Sequence, residues 1–368
     1  MNQSFWRCSN PMNKTTLLDL SFDELLVVLA ELEEPTFRAT QIWRAVFKDL
    51  ASSYAEMTTL SKTLRQRLDE ALPWQGASIL KTLPSSDHQT TKLLLQLHDK
   101  ETIEAVVMRY AKRNTVCIST QVGCAMACKF CATGQAGFTR DLTTGEIVDQ
   151  ALVGARLLQD ESEHLSNVVF MGMGEPMANY EATLKAIRIL NDSRGFSLGA
   201  RSFTVSTVGI VPGIRWLSDE KLQVNLAVSL HTADEALRSQ LVPMNHRYSV
   251  AEIVRACRAY VRATHRRVTF EIALIAGVND SDSHAKQVAE ALHGVLCHIN
   301  IIPFNPIAGS DWRPSPSDRV QAFAHVIESV GYPVTTRHSR GTEIQAGCGQ
   351  LRAAAPSSKA DPASKTKD

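Results

Sequence analysis

Gly123-Cys124-Ala125-Met126-Ala127-Cys128-Lys129-Phe130-Cys131-Ala132-Thr133-Gly134 puts three cysteines into one short loop, at spacings of four and three residues. A structural zinc site normally takes four protein ligands, often as two spaced pairs. No fourth ligand stands beside this trio. Three thiolates so spaced can instead wrap one corner of a cubane iron–sulfur cluster and leave one iron open. An open iron accepts a small guest, and S-adenosylmethionine is one that such clusters cleave to make radicals.

The residues around the loop indicate where it sits. It follows a strand pattern at 115–119, and further strand patterns recur at 167–171, 202–206, 224–229, 268–274 and 298–302. Helical patterns lie between them at 144–158, 180–191, 235–241, 250–264 and 283–294. Alternation of this kind implies an α/β fold with a parallel sheet, most simply a partial (β/α)6 barrel. A helix at 320–330 and a last strand at 333–337 extend it. The loops after barrel strands converge on one rim, where such folds carry their chemistry. On that rim the sequence places Gly172-Met173-Gly174-Glu175-Pro176, Ser206-Thr207-Val208-Gly209, Ser229-Leu230-His231 and Pro303-Phe304-Asn305-Pro306.

The remaining organisation divides the chain into a flexible leader over 1–14, a helical domain over 15–75, a β-hairpin connector over 76–110, the barrel with a C-terminal cysteine loop over 111–351, and a disordered tail over 352–368. Pro35 and Pro73 punctuate the helical part, and strands at 92–97 and 102–108 flank the polar His98-Asp99-Lys100-Glu101 turn. With Lys+Arg 39 against Asp+Glu 38, the net charge of +1 argues neither for nor against nucleic acid, so an RNA surface must be a local patch. No run reaches the length of a membrane span, and residues 1–7 lack a signal peptide's apolar segment. Eight cysteines in 368 residues do not make a disulfide framework, and an oxygen-sensitive cluster fits a reducing cytoplasm.

Most single residues on the rim have a plain alternative reading. Phe130 could cover a bound nucleoside or pack beneath the loop. Gly174 and its neighbours could let backbone approach a ligand, with Glu175 as a carboxylate grip. Ser206, Ser229, His231 and Asn305 could hydrogen-bond a ligand or merely close turns. Cys117, in the apolar Val116-Cys117-Ile118, reads by itself as core, as do Cys257 and Cys297. Cys8 reads as surface. Cys348 differs, because flanking glycines in Ala346-Gly347-Cys348-Gly349-Gln350 suggest a mobile, exposed thiol able to reach the barrel mouth. The basic run from Arg255 to Arg267 is either an RNA-facing patch or a solvated helix face.

Taken together, Gln121-Val122-Gly123-Cys124 through Phe138, Met171-Gly172-Met173-Gly174-Glu175-Pro176, Ser229-Leu230-His231 and Cys348-Gly349-Gln350-Leu351 resemble the radical-SAM adenine methyltransferases of RNA. One branch of that family methylates C2 of adenosine in 23S rRNA and in tRNA; another methylates C8 of the ribosomal adenine. The sequence around the cluster loop is more similar to the C2 branch. The resemblance implies that Cys124, Cys128 and Cys131 hold a 4Fe-4S cluster. It implies that Gly174, Glu175, Ser206, Ser229, Leu230, His231 and Asn305 contact S-adenosylmethionine. Cys348 would be the methylated carrier, Cys117 its resolving partner and Glu104 the proton acceptor. Two S-adenosylmethionine molecules per turnover, an electron donor such as flavodoxin or ferredoxin, a monomeric state and no membrane partner are also implied. The helical domain would grip RNA, with Lys48, Lys62, Arg65 and Arg67 compatible with that role.

Two departures stand out. Thr342-Glu343-Ile344-Gln345 carries one acid where the family tends to carry several, and Gly347 replaces an expected alanine. Two other classes remain as alternatives: a radical-SAM enzyme on a small molecule or peptide, and an RNA-binding protein with a structural metal.

Overall fold

The computed structural model describes residues 15–337 and 339–352. The expected leader, Cys8 and the tail beyond Arg352 lie outside the described residues. The chain opens with three helices, α1 (Phe22–Glu31), α2 (Phe37–Phe47) and α3 (Lys62–Ala71). Ser21 starts α1 by a reciprocal cap: its hydroxyl accepts from the Glu24 N–H at 3.3 Å, and the Glu24 carboxylate accepts from the Ser21 N–H at 2.7 Å. Leu25, Leu29, Ile42, Trp43 and Leu68 meet in the centre of this unit and are fully buried. Each contributes about 1.5–3 kcal/mol by leaving water.

Three antiparallel strands follow, β1 (Ser78–Pro84), β2 (Thr90–Gln96) and β3 (Thr102–Tyr110). β1 is an addition to the expected hairpin. Its residues are largely exposed, so it lacks the alternation by which a half-buried strand is read. Then come β4 (Arg113–Cys117), the small hairpin β5 (Gln121–Gly123) and β6 (Phe138–Asp141) around the one-turn helix α4 (Ala132–Ala136), and α5 (Thr144–Asp160). The alternation continues through β7 (Asn167–Phe170), α6 (Tyr180–Asn191), β8 (Phe203–Thr207), α7 (Val211–Asp219), β9 (Asn225–Ser229), α8 (Glu235–Leu241), α9 (Val250–Thr264), β10 (Val268–Leu274), α10 (Asp282–Ala291), β11 (Cys297–Pro303), α11 (Ser317–Glu328) and β12 (Val334–Thr336). Helix α7 escapes sequence reading because Pro212 and Gly213 look like a turn; Pro sits in its first turn, where no N–H is needed.

All but β5 and β6 form one ten-stranded sheet in the order β1-β2-β3-β4-β7-β8-β9-β10-β11-β12. β4 and the six strands after it in that order are parallel, so the expected α/β partial barrel is what forms. β3 pairs antiparallel with β4, which fuses the connector onto the barrel sheet. Because successive strands lie side by side, every loop leaving a parallel strand opens on the same rim. The helical unit is fastened behind it: Asp19 accepts from the Gly145 N–H at 2.6 Å, and Lys185 meets Glu24 at 2.8 Å. No helix among the described residues is long and apolar enough to cross a membrane.

Candidate active site

One cavity occupies the rim, and Cys124, Cys128, Cys131, Glu175, His231 and Cys348 all face it. Gly174, Ser206, Ser229 and Asn305 line it too. Thirteen residues were expected at the site, and three of them do not line the cavity. Leu230 is fully buried and serves through its backbone, donating to the Glu271 carbonyl at 3.0 Å. Cys117 ends β4, buried in the sheet, and Glu104 lies on β3, buried against Lys92.

The cluster loop is held by backbone contacts at several points. Cys124 N–H donates to the Gly137 carbonyl at 2.7 Å, and Ala132 N–H to the Gly349 carbonyl at 2.7 Å. Burial pushes the Cys124 thiol up to about 12, with Glu175 and Cys131 adding to it. Cys128 is raised well above the ordinary range by burial, then by Cys131 and Cys124. Thiols so placed resist deprotonation unless a cation takes the proton's place. Among the described residues no three His, Cys, Asp or Glu side chains are arranged to hold a single metal ion. The three thiols line one cavity, which fits a multi-iron cluster, where each binds its own iron.

Beside them, Glu175 is buried with both oxygens in use: it accepts from Met177 N–H at 3.0 Å and Val208 N–H at 2.8 Å. Burial raises its pKa to about 7. The glycines before it line the cavity and also have a packing task. A Cβ on Gly174, at φ +102°, would stand 2.7 Å from the Gln121 backbone nitrogen, so the bare Cα lets the two rim loops pack together. His231 also sits at positive φ, +63°, and is tilted over Phe130 with centroids 4.3 Å apart. Its Nδ1 accepts from Ala273 N–H at 3.0 Å, which leaves the proton of the neutral ring on Nε2. Burial, then Arg238, lowers its pKa to about 3, and buried Nε2 has no partner among the described residues. An unpaired donor on a residue of the cavity wall fits a polar ligand such as S-adenosylmethionine.

The C-terminal segment closes the site. Cys348 is exposed and lines the cavity. Its loop is tied to the rim at two points: Asn305 Nδ2 donates to the Cys348 carbonyl at 3.0 Å, and Thr133 Oγ1 to the Leu351 carbonyl at 2.6 Å. A Cβ on Gly347 would stand 2.8 Å from Asn305 Nδ2 and Gln350 Oε1, so the glycine suits this tight seat. Surrounding protein raises the Cys348 thiol, Arg337 draws it back down, and Glu271 opposes Arg337. Burial pushes Cys117 up to about 12, and the next contribution is the charge of Cys348. Cys257 and Cys297 are core residues, as their context implied.

Sequence reading missed four side chains. Arg238 is wholly buried and donates to the carbonyls of Val208 at 2.7 Å, Ser229 at 3.1 Å and Leu230 at 3.1 Å, tying two rim loops together. Nothing in its local sequence marks it. Glu271 does carry a signal, being a lone charge within the apolar strand β10. Arg337 and Lys92 emerge only from the packing.

Residues 118–288 match the Radical SAM superfamily, and residues 15–72 match the ribosomal RNA large subunit methyltransferase N-terminal domain. A probable dual-specificity RNA methyltransferase RlmN of Corynebacterium diphtheriae is 47% identical over 340 residues, covering 91% of this chain and 92% of its own length. Its counterpart in Desulforamulus reducens is 43% identical over 345 residues, covering 94% and 98%. The crystal structure of a radical SAM methyltransferase from Sphaerobacter thermophilus superposes with a TM-score of 0.91 at 47% identity, covering 93% of this chain and all of that one. With both family models matched and 43–47% identity to such relatives over more than nine-tenths of its length, the chain belongs to the RlmN-type radical-SAM RNA methyltransferases.

Proposed function

We infer that the enzyme methylates C2 of adenosine in 23S rRNA and in tRNA, with Cys348 as the carrier of the new carbon. The observation that supports this most is that Cys348 shares one cavity with the three cysteines of the cluster loop, while Cys117 lies close enough to feel its charge. C2 of adenine is an electrophilic amidine carbon with no electron pair to offer a polar methyl donor, so the carbon must arrive by another route.

The cluster, when bound, supplies the electron that splits S-adenosylmethionine into methionine and a radical able to take hydrogen from an S-methyl group. The residues of the chain do the rest. Cys348, as thiolate, first takes a methyl group from one S-adenosylmethionine by displacement, releasing S-adenosylhomocysteine. After hydrogen is removed from that methyl by a second molecule's radical, the carbon held on Cys348 bonds to C2. The adduct gives up one electron, which the oxidised cluster would take back, and its C2 proton passes to Glu104. Cys117, as thiolate, then attacks the Cys348 sulfur. The sulfur–carbon bond breaks, the carbon takes up a proton as the methyl group, and a Cys117–Cys348 disulfide remains for reduction. Glu175 and the unpaired His231 Nε2 serve as polar grips on S-adenosylmethionine, with Gly174, Ser206, Ser229 and Asn305 completing that site and Leu230 holding its loop from behind the wall.

The helical unit is the RNA grip. Arg67 is tied to Glu34 at 2.8 Å and Arg65 to the Ala55 carbonyl at 2.6 Å, so Lys48 and Lys62 present charge most directly on this face. The protein works as a cytoplasmic monomer with flavodoxin or ferredoxin as reductant. The test is anaerobic turnover of reconstituted protein on unmodified 23S rRNA and tRNA, read by nucleoside mass spectrometry. The expected product is 2-methyladenosine, abolished by Cys348→Ala. Production of 8-methyladenosine alone would overturn the C2 assignment, and undiminished turnover by Cys348→Ala would overturn the carrier.

A further inference from the structure

The cavity wall holds two buried carboxylates, and they serve different ends of it. Glu175 stands with the cluster loop, where its charge reaches Cys124 and Cys128. Glu271 stands with the carrier thiol, where its charge reaches Cys348 and Arg337. Their hydrogen bonding differs as well. Both oxygens of Glu175 accept backbone N–H groups, at 3.0 and 2.8 Å. Glu271 is 5% exposed, and its Oε1 accepts from Asn300 Nδ2 at 3.0 Å. Its Oε2 is buried with no partner among the described residues. A buried acceptor left open within a ligand cavity marks where a ligand donor belongs.

The chemistry of the base identifies that donor. Catalysis through Cys348 requires C2 of adenine to reach the carbon on its sulfur. The strong donor on adenine is the exocyclic amine on C6, separated from C2 by N1 alone. A base docked with C2 at Cys348 therefore presents this amine to the wall beside the thiol, where Glu271 lies. Guanine and hypoxanthine carry an oxygen there, which a carboxylate repels.

We propose that Glu271 Oε2 accepts a hydrogen bond from the exocyclic amine of the target adenine and so makes Glu271 the residue that selects adenine. The proposal rests on the reading of Cys348 as carrier. Asn300 acts through Glu271 as a positioning residue, holding the other oxygen and leaving Oε2 free for the base.

The experiment compares two RNA hairpins, with adenosine or inosine at the target position, against reconstituted wild type, Glu271→Gln and Glu271→Asp. Equilibrium binding by fluorescence anisotropy and kcat/KM are both measured. Wild type is expected to favour adenosine RNA by on the order of a hundredfold or more in kcat/KM, because a buried acceptor left unpaired rejects the wrong base strongly. In Glu271→Gln the side-chain amide can turn its N–H toward the oxygen of hypoxanthine, so the preference should fall at least tenfold in kcat/KM and narrow in binding. Glu271→Asp keeps the charge but shortens the reach, and should lower turnover while still favouring adenosine. An unchanged preference in Glu271→Gln overturns the proposal. So does an equal loss of 5′-deoxyadenosine formation with both RNAs, which would assign Glu271 to the cofactor. Mass spectrometry of Cys348 reports the carrier reading separately: if wild type never methylates it, that reading falls and this proposal with it.

Discussion

Lys92 and Glu104 form a buried ion pair across β2 and β3, with the ammonium 3.1 Å from the carboxylate. Each partner also grips one end of the segment that carries Cys348. Lys92 Nζ donates to the Gln345 carbonyl at 3.3 Å, and the second Glu104 oxygen accepts from the Arg352 N–H at 2.8 Å. Removing the cation strands a buried carboxylate, which typically costs about 3–5 kcal/mol. Lys92→Met should therefore lower stability by that order in urea denaturation and raise amide exchange across residues 345–352. Adding Glu104→Leu to Lys92→Met should recover most of the stability. A single variant as stable as wild type would remove the pair from any structural role.

Arg238 leads to a second expectation. Arg238→Met leaves the Val208, Ser229 and Leu230 carbonyls and the Asn245 side chain without the donor that now serves them at 2.7–3.1 Å. Unsatisfied buried acceptors cost about 1–3 kcal/mol each before relaxation. The variant should lose several-fold in cluster occupancy on reconstitution, read from iron content, besides unfolding at lower denaturant. Full cluster loading at wild-type stability would show that the rim loops do not depend on it.

Glu175 gives a dependence on pH. Its pKa rises from 4.5 to about 7 on folding, because burial outweighs its two backbone donors. Between those values the folded chain binds more protons than the unfolded one, so this group's contribution to stability falls as pH rises from 4.5 through 7. In cluster-free protein, Glu175→Gln should gain on wild type steadily across that window and then level off. A stability difference independent of pH would mean that Glu175 is ionised throughout.

Cys117 separates resolution from bond formation. Cys117→Ala should still join RNA to Cys348 but fail to release it, so a covalent protein–RNA species should accumulate on denaturing gels. Cys348→Ala should give none. Rapid release by Cys117→Ala would assign the resolving role elsewhere.

The alternation of strands and helices from 115 to 337 made the barrel legible, because period and connection length fix a parallel sheet locally. The three-cysteine loop named its own chemistry by spacing. β1 and α7 were not legible, since one is exposed on most positions and the other begins with Pro and Gly. Among site residues, those at strand ends could be listed from the order of the loops alone. Their states could not. His231 reads as a turn residue until the Ala273 N–H is seen to fix its tautomer, and the contacts of the Cys348 loop with Asn305 and Thr133 have no local signal.

The sequence by itself determined the fold class, the cluster loop and which thiols are available, because these depend on short spacings and on local periodicity. Tertiary structure alone decided which residues share the cavity and which stand behind it. Arg238, Lys92, Arg337 and Glu271 act through partners far away in the chain, such as Lys92 on Gln345 across 253 positions. Burial and unpaired hydrogen-bonding groups arise only when such distant segments meet, so no local pattern records them.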